Sequence, residues 1–289
     1  MVNYVEGETR LAGKPVKLDG AIFPDVKVGQ TFTTGIGHAE ILLTPGVFLR
    51  LDNNTSFRMV SSKLTDTQVE ILRGSALVEA DEILRDNRIT VKMGKSETSL
   101  LKTGLYHFNA DAGQVRTFTG KAQVSDASNS TELKGGRTLL VGSSLNADKF
   151  DRKKSKGELY TWSQWRHQGL ALANISAART VNTRGLSNSL WAWNPWFGGY
   201  TFLPRRGYGY SPYGDAWYSP NSVWILSQPT YVSQGGGNAA SNSSFQGIAP
   251  SAVSTSSMPV SNASTGDVSR SSSSAAATSS AGAGGTRSR

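Results

Sequence analysis

Apolar and polar residues alternate over most of the first 150 positions, which is the period-two pattern of strands with one buried face. In "AEILLT" the apolar residues Ala39, Ile41 and Leu43 share one side, and "RITVKM" repeats the pattern at Ile89 and Val91. Glycine, asparagine and aspartate, the residues of tight turns, separate such runs. The pattern therefore predicts an all-β domain over residues 1–149.

Two stretches of this region occur twice, which indicates an internal repeat. "LLTPGVF" (Leu42–Phe48) matches "LLKTGLY" (Leu100–Tyr106) at an offset of 58. "VEILRGSALV" (Val69–Val78) matches "VRTFTGKAQV" (Val115–Val124) at an offset of 46. We expect each copy to supply two hairpin-like units, and stacking of the copies to bury a shared apolar face.

The two copies disagree about which positions face inward. Val47, Leu49 and Leu51 suggest one face, whereas the aligned Tyr106 and Phe108 suggest the other. A β-bulge in one copy would reconcile the two patterns.

Three stretches of the domain carry a resemblance to a known family. "VGQTFTTGIGHAEILLTPGVFLRLDNNTSFRM", "VEILRGSALVEA" and "GLYHFNADAGQVRTFTGKAQV" resemble the FecR-type periplasmic sensor domain, from about Val26 to Val141. The resemblance implies an all-β roll or solenoid-like sandwich outside the cytoplasmic membrane. The best-known members of that family regulate extracytoplasmic-function sigma factors.

Two departures from the family concern its regulatory role. FecR-type regulators carry a cytoplasmic helical segment and a membrane-spanning helix before this domain, and the sequence shows neither pattern. "TGLY" (Thr103–Tyr106) also stands where many members have a Gly-Thr pair. We therefore expect the fold to carry over better than the regulation of a sigma factor.

Beyond residue 150, apolar positions recur three and four residues apart, which predicts one helix in a connector over residues 150–184. The helical stripe consists of Leu159, Trp162, Arg166, Leu170, Ala173 and Ala177. Asp151 or Ser155 is placed to cap its start, and Gly169 weakens it by about 1 kcal/mol relative to alanine. Because the stripe is sparsely apolar, we expect the helix to dock on the β-domain through Trp162 and Leu159, or to pair with a copy of itself.

The segment over residues 185–233 is rich in aromatic residues, proline and glycine, with eleven Trp, Tyr and Phe residues between Leu190 and Pro220. Pro195, Pro204, Pro212 and Pro220 exclude a continuous helix or a central strand, so we expect extended and turning chain. The candidate partner-binding residues are Trp191, Trp193, Trp196, Phe197, Tyr200, Arg205, Arg206, Tyr208, Tyr210, Tyr213, Trp217 and Tyr218.

Three interpretations of this aromatic segment are open. The rings cover the β-domain or the helix and add buried area. Alternatively, they stay exposed and stack on sugars, lipid headgroups or a protein partner. In the third interpretation they bind single-stranded nucleic acid together with Arg205 and Arg206. Two cations in thirty-one residues argue against the third interpretation, because a nucleic-acid groove follows several phosphates.

Charge is distributed unevenly along the chain, whose net charge is +9. Residues 1–150 carry 18 Lys and Arg against 17 Asp and Glu, and residues 151–289 carry 12 against 4. The C-terminal half could attract polyanions, but the low density of its cations favours a solvated tail. Low-complexity Ser/Ala/Gly sequence predicts that this tail, residues 234–289, is disordered.

The sequence contains no run of about eighteen apolar residues, so it predicts no membrane-spanning helix. "MVNYVEGETRL" also lacks the basic and then apolar pattern of a secretion signal. The absence of cysteine excludes disulfides and thiolate chemistry.

Known catalytic motifs are missing, including H-E-x-x-H, G-x-S-x-G, the Walker loop and cysteine-based metal spacing. His38, His107 and His167 lie far apart, and we expect them to be structural. "GIGHAE" has only two glycines of the dinucleotide fingerprint and leads into a strand, so it predicts a turn. We expect the acidic pair Asp81–Glu82 on a solvated rim. The sequence thus predicts no catalytic residue, no cofactor and no metal site, and hence no enzyme.

These observations lead us to expect a non-catalytic binding or scaffolding protein of the bacterial cell envelope, in the periplasm or outside the cell. Its expected partner is an envelope protein or polysaccharide. The first alternative is a sensor of sigma-factor-linked signalling that lacks its own membrane anchor. The second is a binder of single-stranded nucleic acid or polysaccharide through the basic aromatic segment.

Overall fold

The computed structural model describes residues 1–18, 22–127, 129–142, 145–181 and 187–227. Met1–Tyr231 forms one compact unit. The predicted disordered tail over residues 234–289 lies outside the described residues. None of the described helices is both long enough and apolar enough to cross a membrane.

Two open sheets make up most of the described chain, and their strands are numbered in chain order. The first sheet has the order β1 (Val2–Val5), β5 (Ala39–Leu42), β6 (Val47–Leu51), β9 (Ser75–Ala80), β12 (Gly104–Asn109), β13 (Gln114–Thr119), β16 (Arg137–Leu140) and β17 (Asp148–Lys149). The second has the order β15 (Ser130–Lys134), β14 (Lys121–Ser125), β11 (Ser96–Leu100), β10 (Arg88–Met93), β8 (Asp66–Arg73), β7 (Ser56–Lys63), β4 (Thr31–Thr34), β2 (Thr9–Leu11) and β3 (Lys14–Pro15).

The remaining elements come after the second sheet in sequence. They are α1 (Glu158–Thr180), the hairpin of β18 (Leu190–Asn194) and β19 (Gly199–Leu203), the hairpin of β20 (Tyr208–Tyr210) and β21 (Ala216–Tyr218), and a 3₁₀ helix (Val223–Ser227). The prediction of an all-β fold with one helix is confirmed.

The central strands of the first sheet, β5, β6 and β9, are buried on both faces. Leu49, Val78 and Tyr106 have no exposed surface and belong to the main apolar core. The intervening side chains, such as Arg50 and Leu77, are buried as well, because α1 and the hairpins cover the opposite face of the sheet. We call this opposite face the outer face. Because it is covered as well, every residue of β5 and β6 is buried.

Strand register removes the conflict between the two repeat copies. Leu49 of β6 and Tyr106 of β12 both lie opposite Val78 of β9, one on each side of it. The offset between equivalent positions is therefore 57 and not 58, because the link from Leu42 to β6 is one residue longer than the link from Leu100 to β12. Both rows of core residues face inward, because β6 and β12 pair regularly with β9. The register shift between Leu105 and Tyr106 lies in the pairing of β12 with β13.

The other half of the repeat forms corners and not hairpins. Gly74 joins β8 of the second sheet to β9 of the first, whereas Gly120 joins β13 of the first sheet to β14 of the second. Both glycines have positive φ, +78° and +93°. A Cβ atom would collide with Thr55 at Gly74 and with Tyr106 at Gly120. The matched sequences therefore encode the same local corner. The chain passes from the second sheet to the first at Gly74, and from the first sheet to the second at Gly120.

Helix α1 starts later than expected, and neither predicted side chain caps it. Its N-cap is Gly157, which makes no side-chain cap. Asp151 instead accepts hydrogen bonds from the backbone N–H groups of Lys153 and Lys154, in the turn before the helix. Gly169 lies under the ring of Phe197, and a Cβ atom there would approach the ring to 2.8 Å. The glycine that weakens the helix thus admits a ring from the aromatic segment.

The predicted helical stripe faces the β-domain. Leu159 packs with Leu77, Leu105 and Phe118, and Trp162 stacks on His38 at 4.8 Å between ring centroids. Three polar residues of this face, Ser163, His167 and Asn174, are fully buried although none of them belongs to the predicted stripe.

Candidate functional site

The aromatic segment forms two short hairpins, with its prolines outside the strands. Asparagine side chains fix both hairpins by bonding to backbone groups. Asn174 donates to the carbonyls of Phe202 and Tyr218, each at 2.9 Å, and accepts from the N–H of Tyr218 at 2.8 Å. Asn3 makes the same kind of pair with the N–H and carbonyl of Tyr200. The hairpins are therefore held at their backbones, independently of their exposed rings.

One set of rings from this segment packs onto the outer face. Phe202 and Trp217 are each 2% exposed. Trp191 and Trp217 contact Phe48, with ring centroids 4.9 and 6.1 Å from it. The hydroxyl groups of Tyr213 and Ser163 are 2.7 Å apart. The covering role considered from the sequence is thus present in the structure.

A second set of rings is exposed. Trp196 is 93% exposed and Tyr210 71%, while Trp193 and Tyr208 are exposed at 39% and 52%. Trp193, half-buried Tyr200 and Phe23 contact one another edge to face, at 5.3 to 5.4 Å. Tyr208 contacts both Tyr210 and half-buried Tyr218. Arg205 and Arg206 are exposed just before β20, and Phe197 is half-buried over α1.

An open cavity of about 470 Å³ lies beside the second hairpin. Its aromatic wall consists of Phe118, Phe150 and Tyr160, with the centroids of Phe150 and Tyr160 5.3 and 5.1 Å from that of Phe118. Pro212, from the turn between β20 and β21, also contributes to the wall. Exposed charged residues line the opening, three cations and one carboxylate: Arg152, Lys153, Lys156 and Asp151. Rings and cations together suit a ligand with flat apolar faces and negative charge.

Beneath the hairpins, a network of buried ions joins the outer face to α1. Arg50 donates to Glu40 at 2.8 Å and also to Glu79. Arg166 of α1 donates to the other oxygen of Glu40 at 2.8 Å. His167 Nδ1 lies 2.6 Å from Glu79 Oε1. Each of these side chains is at most 6% exposed, so the network is shielded from water.

The buried charges shift one another's pKa values. Burial alone would raise the pKa of Glu79, but His167 and Arg50 lower it to about 2. Burial would lower the pKa of His167, but Glu79 and Asp215 raise it to about 10. For Asp81, burial and then the charge of Glu79 raise the pKa well above its usual range. At neutral pH, Glu79 and His167 are therefore an ion pair beside a neutral Asp81.

The three histidines occupy separate environments. His38 lies between Glu6 and Asp52, and His107 contacts Ser75. Within the described part of the chain, one group of three or more potential ligands has the spacing of a metal site, and it is Glu79, Asp81 and His167. The histidines thus do not converge on a shared site.

The structure corrects the prediction that Asp81 and Glu82 lie on a solvated rim. Both oxygens of Asp81 are buried, and Glu82 is half-buried. Asp81 is buried because α1 covers the outer face of the sheet at this point. A sequence signal did exist: Glu40, Arg50 and Glu79 interrupt apolar strands with charges of opposite sign, which is expected where a charged partner covers the strand.

Comparison with solved structures finds two crystal structures of a candidate anti-sigma factor from Parabacteroides distasonis. They share 16% and 15% sequence identity with this chain, each with a TM-score of 0.38. Each match covers 47% of this chain, which spans 63% and 64% of those chains. No family model and no curated protein matches the sequence.

Proposed function

We propose that this chain is a non-catalytic binding protein of the bacterial cell envelope that holds an acidic polysaccharide on its aromatic hairpins. The observation that carries the proposal is the division of the hairpins into two faces. Phe202 and Trp217 anchor one face, while Trp196 and Tyr210 remain exposed on strands and turns that are already fixed. Rings fixed in this way stack on a ligand without paying much ordering entropy.

The surroundings of the exposed rings favour a sugar chain over a protein partner. The exposed rings form small groups on the two hairpins, around Trp193 and around Tyr208. The core of a protein interface needs a larger contiguous apolar area. Sugar rings, in contrast, each stack on a single aromatic face. Arg205 and Arg206 near the tyrosines, and the cationic opening of the cavity, favour a chain that carries carboxylates.

Affinity electrophoresis tests this proposal with two probes, a polyuronate and a neutral glucan embedded in native gels. The polyuronate should retard the protein more strongly than the glucan does. Trp196→Ala and Tyr210→Ala should each weaken the retardation by at least about fivefold, the loss of roughly 1 kcal/mol of ring stacking. Trp165→Ala is the matched control, because Trp165 is an exposed tryptophan (61%) that belongs to α1 and not to the hairpins. Equal retardation of the two hairpin variants and the parent protein would reject the proposal.

A sigma-factor-linked sensor is the second candidate. It is supported by the resemblance of residues 26–141 to the FecR-type domain, which is a property of the sequence. An adjacent sigma-factor gene, and a change in that factor's output when this gene is deleted, would favour it. A sensor of this kind would still need a ligand, so the exposed hairpin rings are relevant to both candidates.

A further inference from the structure

Beyond polysaccharide binding, and independently of it, we propose that Glu79, Asp81 and His167 form a site for one divalent transition-metal ion, with zinc as the expected occupant. Each residue offers one ligand atom, and these three atoms all lie within 4.8 Å of one another. One imidazole nitrogen and two carboxylates form a donor set that zinc accepts, whereas calcium and magnesium prefer oxygen alone.

Strand geometry brings the two carboxylates to one face. Glu79 is the fifth residue of β9, and Asp81 follows two positions later. Residues two apart on an extended chain point to the same side, here the outer face beneath α1. His167 of α1 contacts Glu79 from the helix side. The three ligands are thus supplied by two rigid elements.

The second observation is that buried ligand atoms of this cluster lack hydrogen bonds of good geometry. His167 Nδ1 and Glu79 Oε1 form an ion pair at 2.6 Å, but they do not meet in hydrogen-bonding geometry. Both oxygens of Asp81 are buried without a partner in such geometry among the described residues, and their polar neighbours include Glu79 and the indole of Trp217. Buried carboxylate oxygens in this state keep lone pairs that can coordinate an ion.

The groups that contact these ligands are arranged like those that orient the ligands of known metal sites. Arg50 holds the second oxygen of Glu79, which leaves Oε1 directed to the cluster. The far nitrogen of His167, Nε2, lies 2.9 Å from Ser211 Oγ and 3.4 Å from Asp215 Oδ2. A carboxylate on the second nitrogen of a metal-bound histidine is a recurrent orienting contact. Asp215 itself is 40% exposed. Binding of the ion would displace the protons that His167 and Asp81 carry at neutral pH.

Another histidine of this chain provides the matched control. His38 also has two carboxylate neighbours, but Glu6 lies at Nδ1 and Asp52 at Nε2. Ligands on opposite ring nitrogens cannot share one ion. If zinc binding depended on histidine–carboxylate contacts in general, His38→Gln would lose it too. If zinc binds at the proposed site, His38→Gln should still bind it.

Zinc titration of the untagged protein by calorimetry, with metal analysis after desalting, tests the proposal. The parent protein should bind about one zinc ion per chain. Asp81→Asn, which keeps the size of the side chain, should abolish stoichiometric binding, and Asp215→Asn should weaken it by about 10-fold to 100-fold. His38→Gln should bind like the parent protein.

Three results would overturn the site. They are the absence of stoichiometric zinc in the parent protein, parental affinity in Asp81→Asn, and an equal loss in His38→Gln. Thermal melting without zinc checks that each variant is folded. If Asp81→Asn does not fold, Asp215→Asn decides the question, because that side chain lies at the surface and its parental affinity would contradict the arrangement.

Discussion

Three charged residues on the outer face determine how the helix meets the first sheet. Glu40, Arg50 and Glu79 have no exposed surface, although they occupy positions where most strands place apolar side chains. Each is acceptable there because a partner of opposite charge contacts it directly. Removing one partner leaves the remaining buried charges incompletely compensated at low dielectric, which costs more than the intact pair contributes.

Arg50→Met should therefore lower the free energy of unfolding by about 3–5 kcal/mol, measured by urea denaturation at neutral pH. The comparison is Arg58→Met, because Arg58 pairs with Glu70 while remaining 47% exposed. That variant should change the free energy by less than about 1 kcal/mol. Similar losses in the two variants would show that the buried network is no more important than a surface pair.

His107 should make stability depend on pH. Burial, followed by the charge of Arg116, lowers its pKa to about 4 from 6.5. The folded protein therefore holds His107 neutral, and the unfolded chain binds the extra proton as the pH falls below 6.5. Its contribution is complete above that pH and is lost as the pH falls toward 4, by about 2 kcal/mol at pH 5.

His107→Gln should remove this dependence. The difference in unfolding free energy between the parent protein and the variant should shrink as the pH falls from 7 to 5, because only the parent protein is penalised. Chemical denaturation at several pH values measures it. A difference that is constant over this range would mean that His107 does not titrate as described.

At the scale of elements, side-chain amides fasten the hairpins to the rest of the fold. Asn174 of α1 contacts the backbone of both β19 and β21. Asn194 at the end of β18 donates back to the carbonyl of Ala173 at 3.0 Å. Short two-stranded ribbons are marginal by themselves, so these bonds and the buried rings hold them in place.

Asn174→Ala should destabilise the protein by about 1–3 kcal/mol, because several buried backbone groups lose their partners. Gln168→Ala, at an exposed position of the same helix, should change stability by less than about 0.5 kcal/mol. Thermal melting followed by circular dichroism compares them. If the two variants melt together, the amide contacts do not hold the hairpins.

Periodicity predicted the elements, but not how they assemble. Alternation identified strands such as β5 and β10, and the three- and four-residue steps identified α1. The direction in which the chain turns at Gly74 and Gly120 depends on which sheet is already present, so the local sequence cannot supply it. The burial of Asp81 depends on the position of α1, about eighty residues later. The aromatic rings were predictable as a set, but their division into anchoring and exposed members depends on the outer face.

At the scale of the whole molecule, residues 1–150 depend on the helix and hairpins that come later in the chain. Phe48, Leu77 and Leu105 are at most 1% exposed because α1 and the hairpins cover them. Without that cover the outer face would present apolar rings and unpaired ions to water.

A chain that ends at residue 150 should consequently lack a cooperative thermal transition. A chain that ends at residue 227, which keeps the helix and both hairpins, should melt within a few degrees of the full chain. Circular dichroism on the three proteins provides the comparison. Cooperative melting of the shortest chain at the temperature of the full chain would contradict a shared core.

Under the proposed function, the hairpins stabilise the fold with one set of rings and bind polysaccharide with another. Unfolding free energy and polyuronate retardation, measured on the same two variants, separate the two roles. Trp217→Ala should lose about 3–5 kcal/mol of stability, whereas Trp196→Ala should keep the parental stability and lose retardation. Parental retardation of Trp196→Ala, or a loss of stability in Trp196→Ala as large as that in Trp217→Ala, would contradict this division of roles.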